Sequence, residues 1–179
     1  MAQYFIGIIP PLHIYDEVIK VQKKYIKKLG VEPHITLKAQ SCLTDDEQWI
    51  ITVENIVRST PKFNVKLSGT AYFGDIVLYL SIDSEELNHL HKNIVRELYV
   101  PKDEKQKYFE DENYVGHITI GKTTYPSGLS SNQLSVDDLR NMEKEINSNI
   151  KIKSFKVDSV WIYKKEENEY MRYKKINLK

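Results

Sequence analysis

One five-residue pattern occurs twice and restricts this chain more than any other feature. Pro33-His34-Ile35-Thr36-Leu37 and Gly116-His117-Ile118-Thr119-Ile120 both run His, apolar, Thr, apolar. In an extended strand, residues i and i+2 point to the same face. Each copy therefore shows an imidazole and a hydroxyl on one side and packs its apolar residues on the other. With five His in 179 residues, chance supplies only about 0.2 His-x-Thr pairs. The duplication predicts two equivalent strands facing one cleft.

The segments around the motifs alternate between strand and helix periodicity. Residues 3–9 are β-rich and stop at Pro10-Pro11. A helix over 12–29 follows, with Leu12, Tyr15, Val18, Ile19, Tyr25 and Ile26 near helical spacing and Gly30 as its stop. The first motif strand spans 34–40. Thr44-Asp45-Asp46-Glu47 has the form of a capping box and predicts a helix from there to Arg58. Phe63, Val65 and Leu67 alternate with polar residues, and turns at Gly69 and Gly74-Asp75 lead to a strand over 76–82. Ser84 caps a helix over 85–98. His91 sits on the inner stripe of that helix, as a hydrogen-bonded core histidine, whereas His89 lies on a solvated face. The charged stretch 101–113 reads as a surface loop bordering the cleft. The second motif strand covers 115–123, and a loop with Pro126 and Gly128 follows. Ser135 with Asp138 opens a helix to residue 147, and a hairpin of 150–163 and 169–177 ends the chain. Hairpin-like links without a glycine-rich strand-to-helix loop favour an α+β fold with antiparallel sheets. The length suits a single domain over 1–179, built as two small lobes sharing a cleft.

Composition narrows the partners. A net charge of +1 provides no general grip on long nucleic acid, so a small nucleotide or an RNA end fits better than duplex DNA. The lysines at 20, 23, 24, 27 and 28 read as a solvated helix face. The one cysteine, Cys42, forms no internal disulfide and points to a reducing compartment. The apolar run near the N-terminus is too short to span a membrane. The protein is expected in the cytoplasm, away from membranes, as a monomer.

Paired imidazoles suit phosphodiester chemistry. One accepts a proton from water or a ribose hydroxyl while the other, kept protonated, donates to the departing oxygen. Thr hydroxyls can donate to the non-bridging oxygens, where charge builds in the transition state. No metal or cofactor is required. A metal site from His34, His117 and His13 lacks clustered acidic ligands and the usual His spacing. Lys38, four residues after His34, shares the functional face if its strand stays regular. Lys122, five after His117, points away unless Gly121 marks a bulge that re-aims it. Tyr114 and Tyr125 flank the second motif and are suited to stacking a base or to packing on the sheet.

With both motifs intact, and with Gly121-Lys122 following the second, the chain resembles the two-histidine phosphoesterase superfamily. That group includes the 2′–5′ RNA ligase-like proteins and cyclic nucleotide phosphodiesterases. The resemblance implies a bilobal α+β fold: two pseudo-symmetric antiparallel sheets with outer helices, the motifs meeting in a central cleft. It implies that His34 and His117 are the acid–base pair and that Thr36 and Thr119 bind phosphate. The assignment of acid and base stays open. The implied activity is metal-independent cleavage, or reversible formation, of a 2′,3′-cyclic or 2′–5′ RNA-type phosphodiester. The alternative is a nucleotide- or RNA-end-binding module with little turnover.

Overall fold

Period-two runs of β-branched and aromatic residues form the strands, and apolar stripes form the inner faces of the helices. A computed structural model describes residues 3–124, 134–151 and 153–179. In chain order the elements are β1 (Tyr4–Ile8), α1 (Leu12–Tyr25), β2 (Ile35–Lys38), α2 (Trp49–Ser59), β3 (Phe63–Phe73) and β4 (Val77–Asp83). They continue with α3 (Glu85–Glu97), α4 (Lys102–Lys107), β5 (His117–Lys122), α5 (Val136–Asn149), β6 (Ser154–Val157), β7 (Ser159–Glu166) and β8 (Glu169–Asn177).

The strands lie in the order β6-β3-β4-β5-β2-β1-β7-β8, and every neighbouring pair is antiparallel. The two motif strands, β5 and β2, are the innermost pair. They meet at a single ladder position, Ile35 opposite Ile118, so the sheet divides there into two four-stranded halves. The halves repeat one plan. β1–α1–β2 in one corresponds to β4–α3–β5 in the other, which is the expected pseudo-symmetric bilobal α+β arrangement. Each connecting helix reaches across to the opposite half: α1 lies on β5 and α5, and α3 lies on β2 and α2 as well as on β3 of its own half. Between sheet and helices the core is aliphatic, with Ile6, Ile14, Val18, Ile35, Leu78, Leu90, Ile118 and Ile146 buried.

The sheet is also curled. β6 is one edge strand and β7 lies next to the other edge, yet only Asp158 separates them in sequence. The two ends of the sheet must therefore approach each other. Backbone bonds clasp them, Leu178 N–H donating to Asp158 O at 2.8 Å and Lys179 N–H to Thr60 O at 2.9 Å.

Several boundaries differ from the sequence reading. α1 stops at Tyr25 because Ile26 turns extended (φ −115°, ψ 117°) and places its side chain in the core. The Thr44 capping box does not form. Asp46 instead accepts from the Thr44 hydroxyl and the Gln48 N–H, and Glu47 swings out to Tyr4, Tyr173 and Lys164. That helix begins only at Trp49. Gly69 (φ +97°) sits in a bulge within one long β3 rather than in a turn. The 101–113 stretch is not a loop but α4 followed by a 3₁₀ turn over Asp111–Asn113. The segment 150–163 is split at Asp158 between β6 and β7, and only β7 forms the terminal hairpin with β8. The Ser84 cap and the Ser135–Asp138 capping box are present.

Candidate active site

The two motif histidines are held in the same way. His34 Nδ1 bonds the carbonyl of Glu32 at 2.7 Å, and His117 Nδ1 bonds the carbonyl of Val115 at 2.7 Å. A carbonyl only accepts, so each Nδ1 carries the proton and each neutral ring presents its Nε2 lone pair. His34 Nε2 lies 3.1 Å from the Thr36 hydroxyl. With Ile35 opposite Ile118, His34 stands across from Thr119 and Thr36 across from His117. All four side chains line one cavity of about 360 Å³, together with Glu32, Gln40 and Lys122.

Matching bulges follow the two threonines. In β5, Leu78 pairs with Gly121 and Tyr79 with Thr119, leaving Ile120 as the extra residue. Ile120 and Gly121 are both buried, and Lys122 returns to the cavity. A Cβ on Gly121 would stand 3.0 Å from Leu134, Leu139 and Met142, so α5 closes over the bulge at glycine distance. In β2, Ile6 pairs with Lys38 and Gly7 with Thr36, leaving Leu37 as the extra residue. This bulge turns Lys38 away from the functional face, where a regular strand would have put it. Its ammonium is fully buried and donates to Ala39 O, Ser41 O, Ser41 Oγ and Glu110 Oε1 at 2.7–2.9 Å.

A bulge frees carbonyls, and side chains from the helices and turn that cross from the opposite half supply the donors. Gln22 Nε2 on α1 reaches both Thr119 O and Ile120 O at 3.2 Å. At the equivalent positions of β2, the Tyr114 hydroxyl donates to Thr36 O at 2.9 Å and His91 Nδ1 bonds Leu37 O at 2.7 Å. His91 Nε2 accepts from Asp111 N–H, so this imidazole is a neutral, satisfied core group as expected. Tyr114 stacks on it at 3.8 Å. Its hydroxyl and one ring face are thereby committed, and Tyr114 supports the first motif instead of offering an open platform to a base. Tyr125 lies outside the described residues.

Sequence reasoning missed Glu32. Its carbonyl orients His34, and its carboxylate accepts from Tyr15, Tyr163 and both ends of the Arg172 guanidinium. Burial favours the neutral acid, but the Arg172 and tyrosine hydrogen bonds prevail and hold Glu32 below the usual carboxylate range. No local signal marks Glu32, because its partners come from β7, β8 and α1. Phe5 tilts against the His34 ring at 4.8 Å and stacks on Tyr163, which completes the wall.

The environment separates the two imidazoles. Burial pushes His34 down to about 4, aided by the charges of His117 and Lys122 and opposed by the Glu32 carbonyl. Burial and the Lys122 charge also lower His117, against the Val115 carbonyl. Burial lowers Lys122 itself. Among the described residues no three His, Cys, Asp or Glu side chains gather as a metal site would need. No helix there is long and apolar enough to cross a membrane.

This duplicated strand geometry has a counterpart among known families. A family model described as the 2′-5′ RNA ligase superfamily matches residues 10–169. The chain belongs to this superfamily. The TT0787 protein of Thermus thermophilus shares the fold, with a TM-score of 0.64 and 17% identity over 98% of this chain and 97% of that one. E. coli LigT, in its complex with 3′-AMP, superposes with a TM-score of 0.61 and 14% identity over 99% and 98% of the two chains. No curated protein sequence matches the chain significantly.

Proposed function

We propose that this member of the superfamily is a phosphodiesterase for a small RNA-type ester, working by paired-histidine acid–base catalysis that calls for no metal. The observation that carries this reading is the shared cavity. Two imidazoles locked by their Nδ1 atoms, two threonines and Lys122 line it together. Complexes of E. coli LigT with 3′-AMP and with ATP support a nucleotide-type ligand.

In the hydrolytic direction the phosphate sits between Thr36 and Thr119, with Lys122 balancing its charge. His34, neutral through the physiological range, takes a proton from water at Nε2. His117 is less strongly held in the neutral form, and a bound phosphate anion favours its charged form. Its Nε2–H protonates the departing ester oxygen. The P–O bond to that oxygen breaks as the bond to water forms. The threonine hydroxyls donate to the non-bridging oxygens as their charge grows. The two halves act as one domain in the cytoplasm.

Turnover of a 2′,3′-cyclic nucleotide and of a 2′–5′ dinucleotide, with chelator present, tests the proposal. His34→Ala and His117→Ala should each lower kcat by about 10² to 10⁴-fold, with a far smaller effect on ligand affinity. Binding of both compounds with no turnover, unchanged by either substitution, would identify a binding module instead.

A further inference from the structure

A second cavity of about 400 Å³ opens on the His117 side of the cleft, and it differs chemically from the first. The two share Thr36, Ala39, Tyr108 and His117. The first holds Lys28, Glu32, Gln40 and Lys122. The second is walled by Phe73, Ile76, Val77, Phe109 and Val115. Besides His117 and the tyrosines, its ionisable liners are committed elsewhere: Glu110 to Lys38, Ser41 and Ala39 N–H, and His91 to Leu37 O and Asp111 N–H. The rest of the lining is mainly apolar and aromatic, with Asn113 and Thr36 as neutral polar groups, and among the described residues it includes no lysine or arginine to hold a phosphate.

The aromatic rim is built rather than incidental. Phe73 stacks on Tyr79 at 4.2 Å and meets His117 edge-on at 5.1 Å. Phe109 is 72% exposed, and its backbone lies in the left-handed region at φ +54°. Such a conformation costs about 1–3 kcal/mol and persists only where its surroundings impose it. Here the imposing contact is Glu110, the next residue, anchored by the buried Lys38 ammonium. Ile76 and Val115 at the same rim are also exposed. A contiguous apolar patch beside a polar pocket is the usual mark of a ligand surface.

We infer that this chamber is the subsite for the flat, uncharged ring of the alcohol released on the His117 side, so that the enzyme selects linear diesters by the base on their leaving group. The inference rests on the phosphodiesterase reading. Water adds to phosphorus and the P–O bond to the chamber-held alcohol breaks. His34 Nε2 receives the water proton, and His117 Nε2 supplies one to the alcohol oxygen. Phe73 and Phe109 grip the departing base by stacking while the first cavity holds the retained nucleotide.

Two 2′–5′-linked diesters with the same retained nucleotide test this, one releasing adenosine and the other a ribose without a base. The wild-type protein should favour the adenosine ester about 10- to 100-fold in kcat/KM, as expected for stacking on aromatic side chains. Phe109→Ala and Phe73→Ala should each erode that preference several-fold, slowing the adenosine ester more than the baseless one. Phe109 is largely exposed, so its variant keeps the fold. Equal turnover of both esters by the wild type, or a preference untouched in both variants, would overturn the subsite alone. Absence of turnover for these esters and for 2′,3′-cyclic nucleotides would overturn the diesterase reading as well.

Discussion

The surroundings of His34 shape the pH behaviour of the whole protein. Its pKa falls from 6.5 to about 4 on folding, so between those values the unfolded chain binds more protons than the folded one. Stability is therefore full above about pH 6.5 and drains away as the pH falls toward 4. Its share of the loss is on the order of 2–3 kcal/mol, and His117 and His91 add in the same direction. Urea titrations from pH 7 to 4 should show this decline, and it should be shallower in His34→Gln. Inorganic phosphate should offset the decline, because the anion favours the charged imidazoles. Lys122 acts on both histidines at once, since its charge lowers each of them. Lys122→Met should move the kcat/KM profile to higher pH while raising KM for anionic substrates. A profile that keeps its position would show that Lys122 only contributes binding. At this scale the sequence was informative. The period of two placed His34 with Thr36 and His117 with Thr119 on one face, and Gly121 left open the bulge that the structure contains and that brings Lys122 to the cavity. Lys38 escaped because the equivalent β2 bulge contains no glycine to mark it.

Among the elements, the motif strands depend on side chains that no sequence pattern connects with them. Gln22 is the single donor for two carbonyls behind the second motif, whereas Tyr114 and His91 divide that work behind the first. Gln22→Leu removes both hydrogen bonds, and an unmet buried group such as the Ile120 carbonyl costs about 1–3 kcal/mol. It should also lower turnover and phosphate affinity, measured well below the melting range. Ile14→Ala, elsewhere on the buried face of α1, should destabilise comparably without that loss of turnover. The α4 segment tells the same story. Residues 101–113 look like a solvated charged loop because nothing local reveals that Glu110 is 2% exposed and bound to Lys38. Lys38→Met would strand the Glu110 carboxylate, at a cost of about 3–5 kcal/mol. The double variant Lys38→Met/Glu110→Gln should recover much of that loss in thermal melts. The failed capping box has a similar origin: Glu47 finds three long-range partners on the sheet that outweigh a local cap.

For the whole molecule, the decisive feature is that neither half of the sheet is complete alone. The halves share one ladder pair, Ile35 with Ile118, which by itself would allow them to separate. They are bound instead by exchange: α1 covers β5, α3 covers β2, and the C-terminal residues clasp Asp158 and Thr60. The cleft geometry depends on the same exchange, because Gln22 and His91 travel on those helices. Pattern reading found the duplicated plan but not the exchange, since hydrophobic periodicity shows which face is buried and not against what. The arrangement predicts that the protein unfolds as one cooperative unit. Hydrogen exchange of the β4 and β7 amides, which lie in opposite halves, should report the same global free energy. Ile14→Ala removes apolar volume from a fully buried position on α1, at a cost of about 2–5 kcal/mol. Because α1 belongs to one half by sequence and to the other by packing, that cost should lower protection in β4 and β7 equally. Loss of protection in one strand alone would mean that the halves fold independently, and the site would then lie across a mobile joint.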